Sequence, residues 1–442
     1  MAPFKSREEL IEEEKRLKGE IEKRHRKTVE ELYQEREKRI FDAMQLKVPD
    51  RVPVVFFDVP LLACRYAGLQ YSAAYYDAPA WRAAFKKLFA DLEPDGWAVA
   101  GRESGATLAA IGANQIRWPG GNLPPDVGNQ IAEQEFMKED EYDLFLTDPS
   151  DFMLRVWLPR LYSSLRPLAK LPPLISLAFN LAMVSTLFAS EEFAQLARAM
   201  KKAGEEATKW DHEMGRMDME MASLGFPCTW PPTFDGVQPP FSDFSNNFRT
   251  YRGVAIDMFR QPEKLKAALN KILEYRIATA RPAVKKEGQL AIGASGEPHR
   301  VSDEFMSKKQ FEEFVWPYWK RSIEATLNLG YDTVWMFCEG RRDRQLEYFT
   351  GFPKGSLVIL FEQTDILRTK EILGDSVYLM GNVPLRLLQL GSPQDVEEYC
   401  KKLIKVCGKG GGFILANGGG IYDAKPENMK AMVDSVEKYG WY

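Results

Sequence analysis

One apolar run ends at Gly381-Asn382-Val383-Pro384, and a helix-like stretch follows to Val406. After a glycine run, Phe413-Ile414-Leu415-Ala416 ends at Asn417-Gly418-Gly419-Gly420. The order strand, turn, helix, strand, with both strands apolar throughout, leaves few folds open. Strands that read as continuous apolar runs are buried on both faces, and parallel neighbours need a crossover helix between them. These segments are expected to be the closing units of an α/β chain of the (β/α)8, TIM-type barrel class. In such barrels the loops after the strands carry the chemistry.

The same grammar recurs upstream. Apolar runs at 54–57, 97–100, 174–180, 289–294, 333–337, 357–361 and 377–380, with the final run, make eight candidate strands. They occupy a barrel unit assigned to residues 47–442. Pro/Gly-rich stretches at 118–126 and 227–248 are expected to be long loops over its mouth. Residues 191–222 read as helix, and Met214, Met217, Met219 and Met221 at helical spacing suit either core filling or a pocket wall. Residues 1–46 form a separate charged segment. From Arg7 to Met44 a narrow stripe of Leu10, Leu17, Ile21, Val29, Leu32 and Ile40 runs through Glu, Lys and Arg. That pattern predicts one long helix, lying over the barrel or clasping a second subunit in a homodimer.

Composition narrows the function classes. Lys plus Arg number 59 against 63 Asp plus Glu, a net charge of -4, which lacks the basic excess of a nucleic-acid binder. No run approaches the ~18 apolar residues of a membrane span. The first residues are charged rather than apolar, and the five scattered cysteines form no CxxC pair. A cytoplasmic protein with reduced thiols is expected.

Polar residues at the strand ends define the candidate active-site wall. Asp58, Glu103, Glu297 and His299 are the candidate catalytic groups. A carboxyl in a partly apolar mouth can hold its proton to neutral pH and then donate it. Arg102, Asn180, Trp335, Glu362, Asn382 and Asn417 are candidate substrate contacts. Cys338 and Glu339 are the candidate metal ligands. Asp365 stands at the same kind of position, and any of these acids could instead cap a helix or pair with Arg300, Arg341 or Arg342. No GxxxxGK[ST] or GxGxxG motif occurs.

Several stretches resemble the uroporphyrinogen decarboxylase superfamily, which includes corrinoid-dependent methyltransferases. They are Arg39-Ile40-Phe41-Asp42-Ala43, Pro49-Asp50-Arg51-Val52-Pro53, Trp118-Pro119-Gly120, Gly381-Asn382-Val383-Pro384, Gly411-Gly412-Phe413-Ile414 and Ala424-Lys425-Pro426-Glu427-Asn428. The arginine-rich motif of the true decarboxylases is missing after Pro53, where the chain reads Phe56-Phe57-Asp58-Val59-Pro60. The chain is therefore more similar to the methyltransferase branch. Members of that branch bind zinc through a His-x-Cys pair and a later Cys. Here Met336 and Gly418 to Gly420 stand at two of those positions, and Cys338 alone matches. The resemblance implies methyl transfer between a small apolar or aromatic substrate and a corrinoid (cobalamin) held by a separate protein, as in O-demethylation. Two alternatives stand beside it: a lyase that decarboxylates a small carboxylic acid or a tetrapyrrole using Asp58, and a non-catalytic binding protein on a degenerate barrel.

Overall fold

The computed structural model describes residues 7–99, 101–229, 236–285 and 292–442. Nine strands occur among them: β1 Val54–Phe57, β2 Gly96–Ala98, β3 Ile116–Arg117, β4 Gln130–Ile131, β5 Gly293–Ser295, β6 Thr333–Cys338, β7 Leu357–Phe361, β8 Tyr378–Val383 and β9 Phe413–Asn417. Strands β3 and β4 make a small antiparallel hairpin in the loop region after β2. The other seven form one curled sheet in the order β2-β1-β9-β8-β7-β6-β5, parallel throughout. The carboxyl ends of these seven strands therefore lie at the same edge.

Alternation along the strands separates two apolar layers. Val55, Phe57, Trp335, Leu360, Met380 and Ile414 pack together inside the curl of the sheet. Val54, Phe56, Val334, Met336, Ile359 and Leu415 face the opposite way, into the layer shared with the helices. Cys338 belongs to that outer layer. Its side chain follows Val334 by four residues and Met336 by two, so it is turned away from the interior of the curled sheet.

The expected strand at 174–180 is a helix. Leu174–Phe188 is helical over 15 residues. The reason is length: the apolar run continues to Phe188 without Gly or Pro, further than a buried strand normally extends. Beside β2, in the place expected for a third strand, Cys228 makes a parallel bridge to Trp97. Ten residues on, Gln238 donates to the carbonyl of Ser295 in β5. Cys228 thus touches one edge of the seven-stranded sheet and Gln238 the other. Part of the expected run at 289–294, together with Ala100, lies outside the described residues.

The long N-terminal helix is two helices, Arg7–His25 and Val29–Met44. Arg26 at φ 54° turns the chain between them. Thr28 then caps the second helix, and Glu31 completes the reciprocal capping box. The apolar stripe is buried within this chain: Leu17, Ile21, Val29, Leu32 and Ile40 are each at most 4% exposed. Beneath it, two of the stretches that carry the family resemblance meet at the start of β1 and β2. Arg39 grips Asp50 through two bonds of 2.7 Å and also reaches Asp95, which accepts from Arg51 at 2.7 and 2.9 Å. Asp95 is 1% exposed. Burial alone would raise its pKa, but the two guanidiniums and the Val54 amide overcome that and hold it down to about 2.

Candidate active site

Three non-glycine residues adopt positive φ immediately after strands: Asp58 (44°) after β1, Val99 (60°) after β2 and Arg300 (59°) in the turn after β5. For a β-branched residue such as Val99 this conformation is strained. Strain that clusters at the chemical edge of a sheet points to function. Two groups of polar side chains are held there.

The first group follows β5 and β6. Glu297 is half-buried, and its Oε2 accepts from the Ser295 hydroxyl at 3.0 Å and the Gly296 amide at 3.2 Å. Trp319 fixes the same turn by donating to the Gly296 carbonyl at 2.8 Å. Desolvation pushes the Glu297 carboxyl up to about 8, and its hydrogen bonds and the distant charge of Arg342 only partly oppose that. His299 is anchored through its amide to Ser242 Oγ at 2.8 Å, and its Nδ1 lies 3.9 Å from Glu339 Oε2. Desolvation holds its imidazole below the usual value; Glu339 works the other way, while Arg342 and Arg300 reinforce the fall. His299 is therefore neutral near pH 7. Behind these side chains lies Arg342, with no exposed surface. It donates to the carbonyls of Glu339 (3.1 Å) and Val301 (2.9 Å) and to Gln345 Oε1 (3.0 Å), and its Nη2 is buried without a partner among the described residues.

The second group follows β1 and β2. Arg102 Nη2 donates to Asp58 Oδ1 at 2.7 Å. Burial works against the Arg102 charge, but Asp58 more than offsets it and the guanidinium stays firmly protonated. Arg102 Nε and the Tyr75 hydroxyl are buried without partners among the described residues. Tyr422 completes this wall, tied through its carbonyl to the Tyr71 hydroxyl at 3.0 Å. A glycine is required opposite: a Cβ on Gly420 would stand 2.5 Å from Asp58 Oδ2. Glu103 is exposed at the start of the next helix.

Other expected contacts carry hydrogen bonds within the rim. Asn417, wholly buried, accepts from the Phe57 amide at 2.9 Å and donates to the Phe57 carbonyl at 2.6 Å, so it clamps β9 to β1. Asn382 donates to the Thr364 carbonyl at 2.8 Å and accepts from Tyr399 at 3.3 Å. Glu362 Oε2 accepts from the Gly340 amide at 2.6 Å. Trp335 is 2% exposed and fills the barrel interior, bonded to Thr333. These four position the rim. Asp365 caps the helix after β7. Asn180 sits in the 174–188 helix rather than at a strand end, and its side chain lies outside the described residues. Met217 and Met221 are buried core, whereas Met219 is 68% exposed.

Zinc does not fit the donor set. Cys338 faces the helix layer, and burial pushes its thiol up to about 12. Among the described residues no three His, Cys, Asp or Glu side chains gather to hold a metal. Cys338 and Glu339 therefore lack a third ligand. Sequence reasoning missed Tyr75 and Tyr422, which carried no signal as parts of the site. Arg342 entered only as a possible partner of the strand-end acids, and Gly420 only within the glycine run after the last strand.

Residues 239–439 match the family model described as uroporphyrinogen decarboxylase (URO-D). A uroporphyrinogen decarboxylase from Pseudoalteromonas atlantica is 38% identical over 76 residues, 17% of this chain and 21% of that protein. The methylcobamide:CoM methyltransferase MtbA of Methanosarcina acetivorans is 26% identical over 185 residues, 41% of this chain and 52% of that protein. The chain thus aligns with between a fifth and about half of the length of these curated relatives. A solved methyltransferase from Methanosarcina mazei superimposes with a TM-score of 0.54 at 14% identity, covering 91% of this chain and 98% of that one. At that identity the likeness is one of fold. No helix among the described residues is long and apolar enough to cross a membrane.

Proposed function

We infer, for a chain whose residues 239–439 carry a uroporphyrinogen decarboxylase family domain, a methyltransferase that demethylates a small apolar or aromatic substrate. The acceptor is a corrinoid carried on a separate protein. One arrangement carries this reading: Glu297, in the turn after β5, is held by the Ser295 hydroxyl and the Gly296 amide, and desolvation pushes its carboxyl up to about 8. A methyl group leaves oxygen or nitrogen readily only when the departing atom gains a proton, and a carboxylic acid with a pKa near the working pH supplies it best. Neutral His299, beside it in sequence, can orient the leaving group by a hydrogen bond. On the other side of the rim, the free N–H of Arg102 and the hydroxyl of Tyr75 can receive a substrate oxygen. The corrinoid supplies the methyl acceptor. No step here needs zinc.

The test mixes the purified chain with a reduced corrinoid protein and a panel of methyl ethers and methylamines, and follows the corrinoid spectrum. Methylation that falls about 100-fold at pH 7 in Glu297→Gln supports the acid role. An unchanged rate in that variant removes it. The lyase reading rests on the Asp58–Arg102 pair, a carboxylate held at 2.7 Å from a buried guanidinium. It predicts carbon dioxide release from a small acid without any corrinoid, lost in Asp58→Asn.

A further inference from the structure

A cavity of about 260 Å³ lies at the end of the barrel opposite the mouth, where the N-terminal helices meet the last helix, Pro426–Tyr439. A water occupies ~30 Å³ of liquid, so the space exceeds what a single water fills. Three arginines line it, and all are nearly buried: Arg36 at 5%, Arg39 at 7% and Arg51 at 6% exposure. Two of them are matched by acids. Arg39 holds Asp50 and Asp95, and Arg51 holds Asp95 and Glu437.

Arg36 is not matched. It donates to the Gly225 carbonyl at 2.8 Å and lies 4.4 Å over the Phe226 ring, but no acid pairs with it among the described residues. Burial lowers its pKa; Asp95 and Glu93 oppose this from a distance, while Arg39 and Arg51 add to it. The acids of the cavity wall are already engaged. Glu35 pairs with Lys27, Glu93 with Arg24 and His25, Asp434 with Lys430, and Glu437 with Arg51. The Nε of Arg51 is likewise buried without a partner among the described residues. A buried cation that lacks a counter-ion is unfavourable, and a guanidinium presents parallel N–H donors at the spacing of an oxoanion's oxygens. A cavity beside such a cation, with no acid of its described lining free to fill it, calls for an external anion.

We propose that this cavity binds a small oxoanion of the phosphate, sulfate or carboxylate type, with Arg36 as its principal ligand. Such an anion would sit between the Val29–Met44 helix and the Pro426–Tyr439 helix and help hold the N-terminal helices on the barrel. The site is remote from the mouth and independent of the methyl-transfer reading, so the test uses no activity.

Full-length protein is melted in increasing inorganic phosphate, sulfate or acetate against sodium chloride at matched ionic strength. A saturable rise in Tm above the chloride curve supports the site, and the ordering of phosphate, sulfate and acetate separates tetrahedral from planar anions. In Arg36→Met, which keeps bulk against Phe226 but no charge, phosphate binding is expected to weaken about tenfold or more. Anion curves that match chloride, or a phosphate effect retained in Arg36→Met, overturn the proposal. Should that variant fail to fold, ³¹P line broadening on the native protein decides. Saturable broadening that sulfate reverses supports the site; absence of broadening overturns it.

Discussion

At the scale of the residue, Glu297 and Asp95 are carboxyls that burial pushes the same way, and their partners send them in opposite directions. Asp95 has two guanidiniums against it, whereas Glu297 has a hydroxyl, one amide and a remote arginine. The consequences for pH differ in sign. Glu297 has a folded pKa near 8 against 4.5 for the free side chain. The unfolded chain therefore ionises first as pH rises, and the native state loses stability between those values. Glu297→Gln is expected to melt higher than the native protein at pH 8, with the two converging below pH 4.5, while transferring methyl groups about 100-fold more slowly. Proton donation by Glu297 in the proposed reaction is expected to fall as pH rises through about 8. A pH–rate profile flat from 6 to 9 would remove Glu297 from the chemistry. Asp95 stabilises the fold fully above about 3.8, and that contribution is lost as pH falls through about 2. Asp95→Asn leaves Arg39 and Arg51 without their shared acid and should cost roughly 3–5 kcal/mol in denaturant unfolding at pH 7.

At the scale of the element, the loops after strands are positioned by hydrogen bonds to the neighbouring strands and by glycines that leave them room. Asn417 bonds to both backbone groups of Phe57, the residue before Asp58. Gly420 leaves room for the Asp58 carboxylate. Gly420→Ala is expected to fold with its Tm nearly unchanged but to displace Asp58 from Arg102, and crystallography of the variant would reveal the broken pair. Such elements were unevenly legible in the sequence. Strands β6 to β9 could be placed from their apolar runs because each is short and bounded by Gly or an acid. The 174–188 helix could not, because its first seven residues satisfy a buried strand as well as a helix and only its full length separates the two. The break at Arg26 was hidden for a similar reason. A left-handed arginine leaves no compositional mark, and only Thr28-x-x-Glu31, a capping box, signalled a second helix start. Thr28→Ala should cost about 1 kcal/mol.

At the scale of the whole molecule, the N-terminal helices belong to the packing of the barrel. Leu17, Ile21, Val29, Leu32 and Ile40 of their apolar stripe are buried in this chain's own core. Deleting residues 1–46 is accordingly expected to expose the surface that Leu17, Ile21, Leu32 and Ile40 cover, with a marked fall in Tm or insolubility. A truncated protein that melts like the full chain would contradict this. What the amino-acid sequence determined alone was the class of fold and the edge on which polar side chains gather. Apolar periodicity and turn residues are local signals, and a parallel sheet aligns every strand end once the crossovers are helical. Which of those polar side chains face one another was decided by tertiary structure. The side on which Cys338 falls depends on a one-residue register, the pKa of Glu297 depends on what buries it, and Arg342, Tyr75 and Arg36 acquire meaning only through neighbours distant in the chain. Charge, burial and distance are properties of the assembled space.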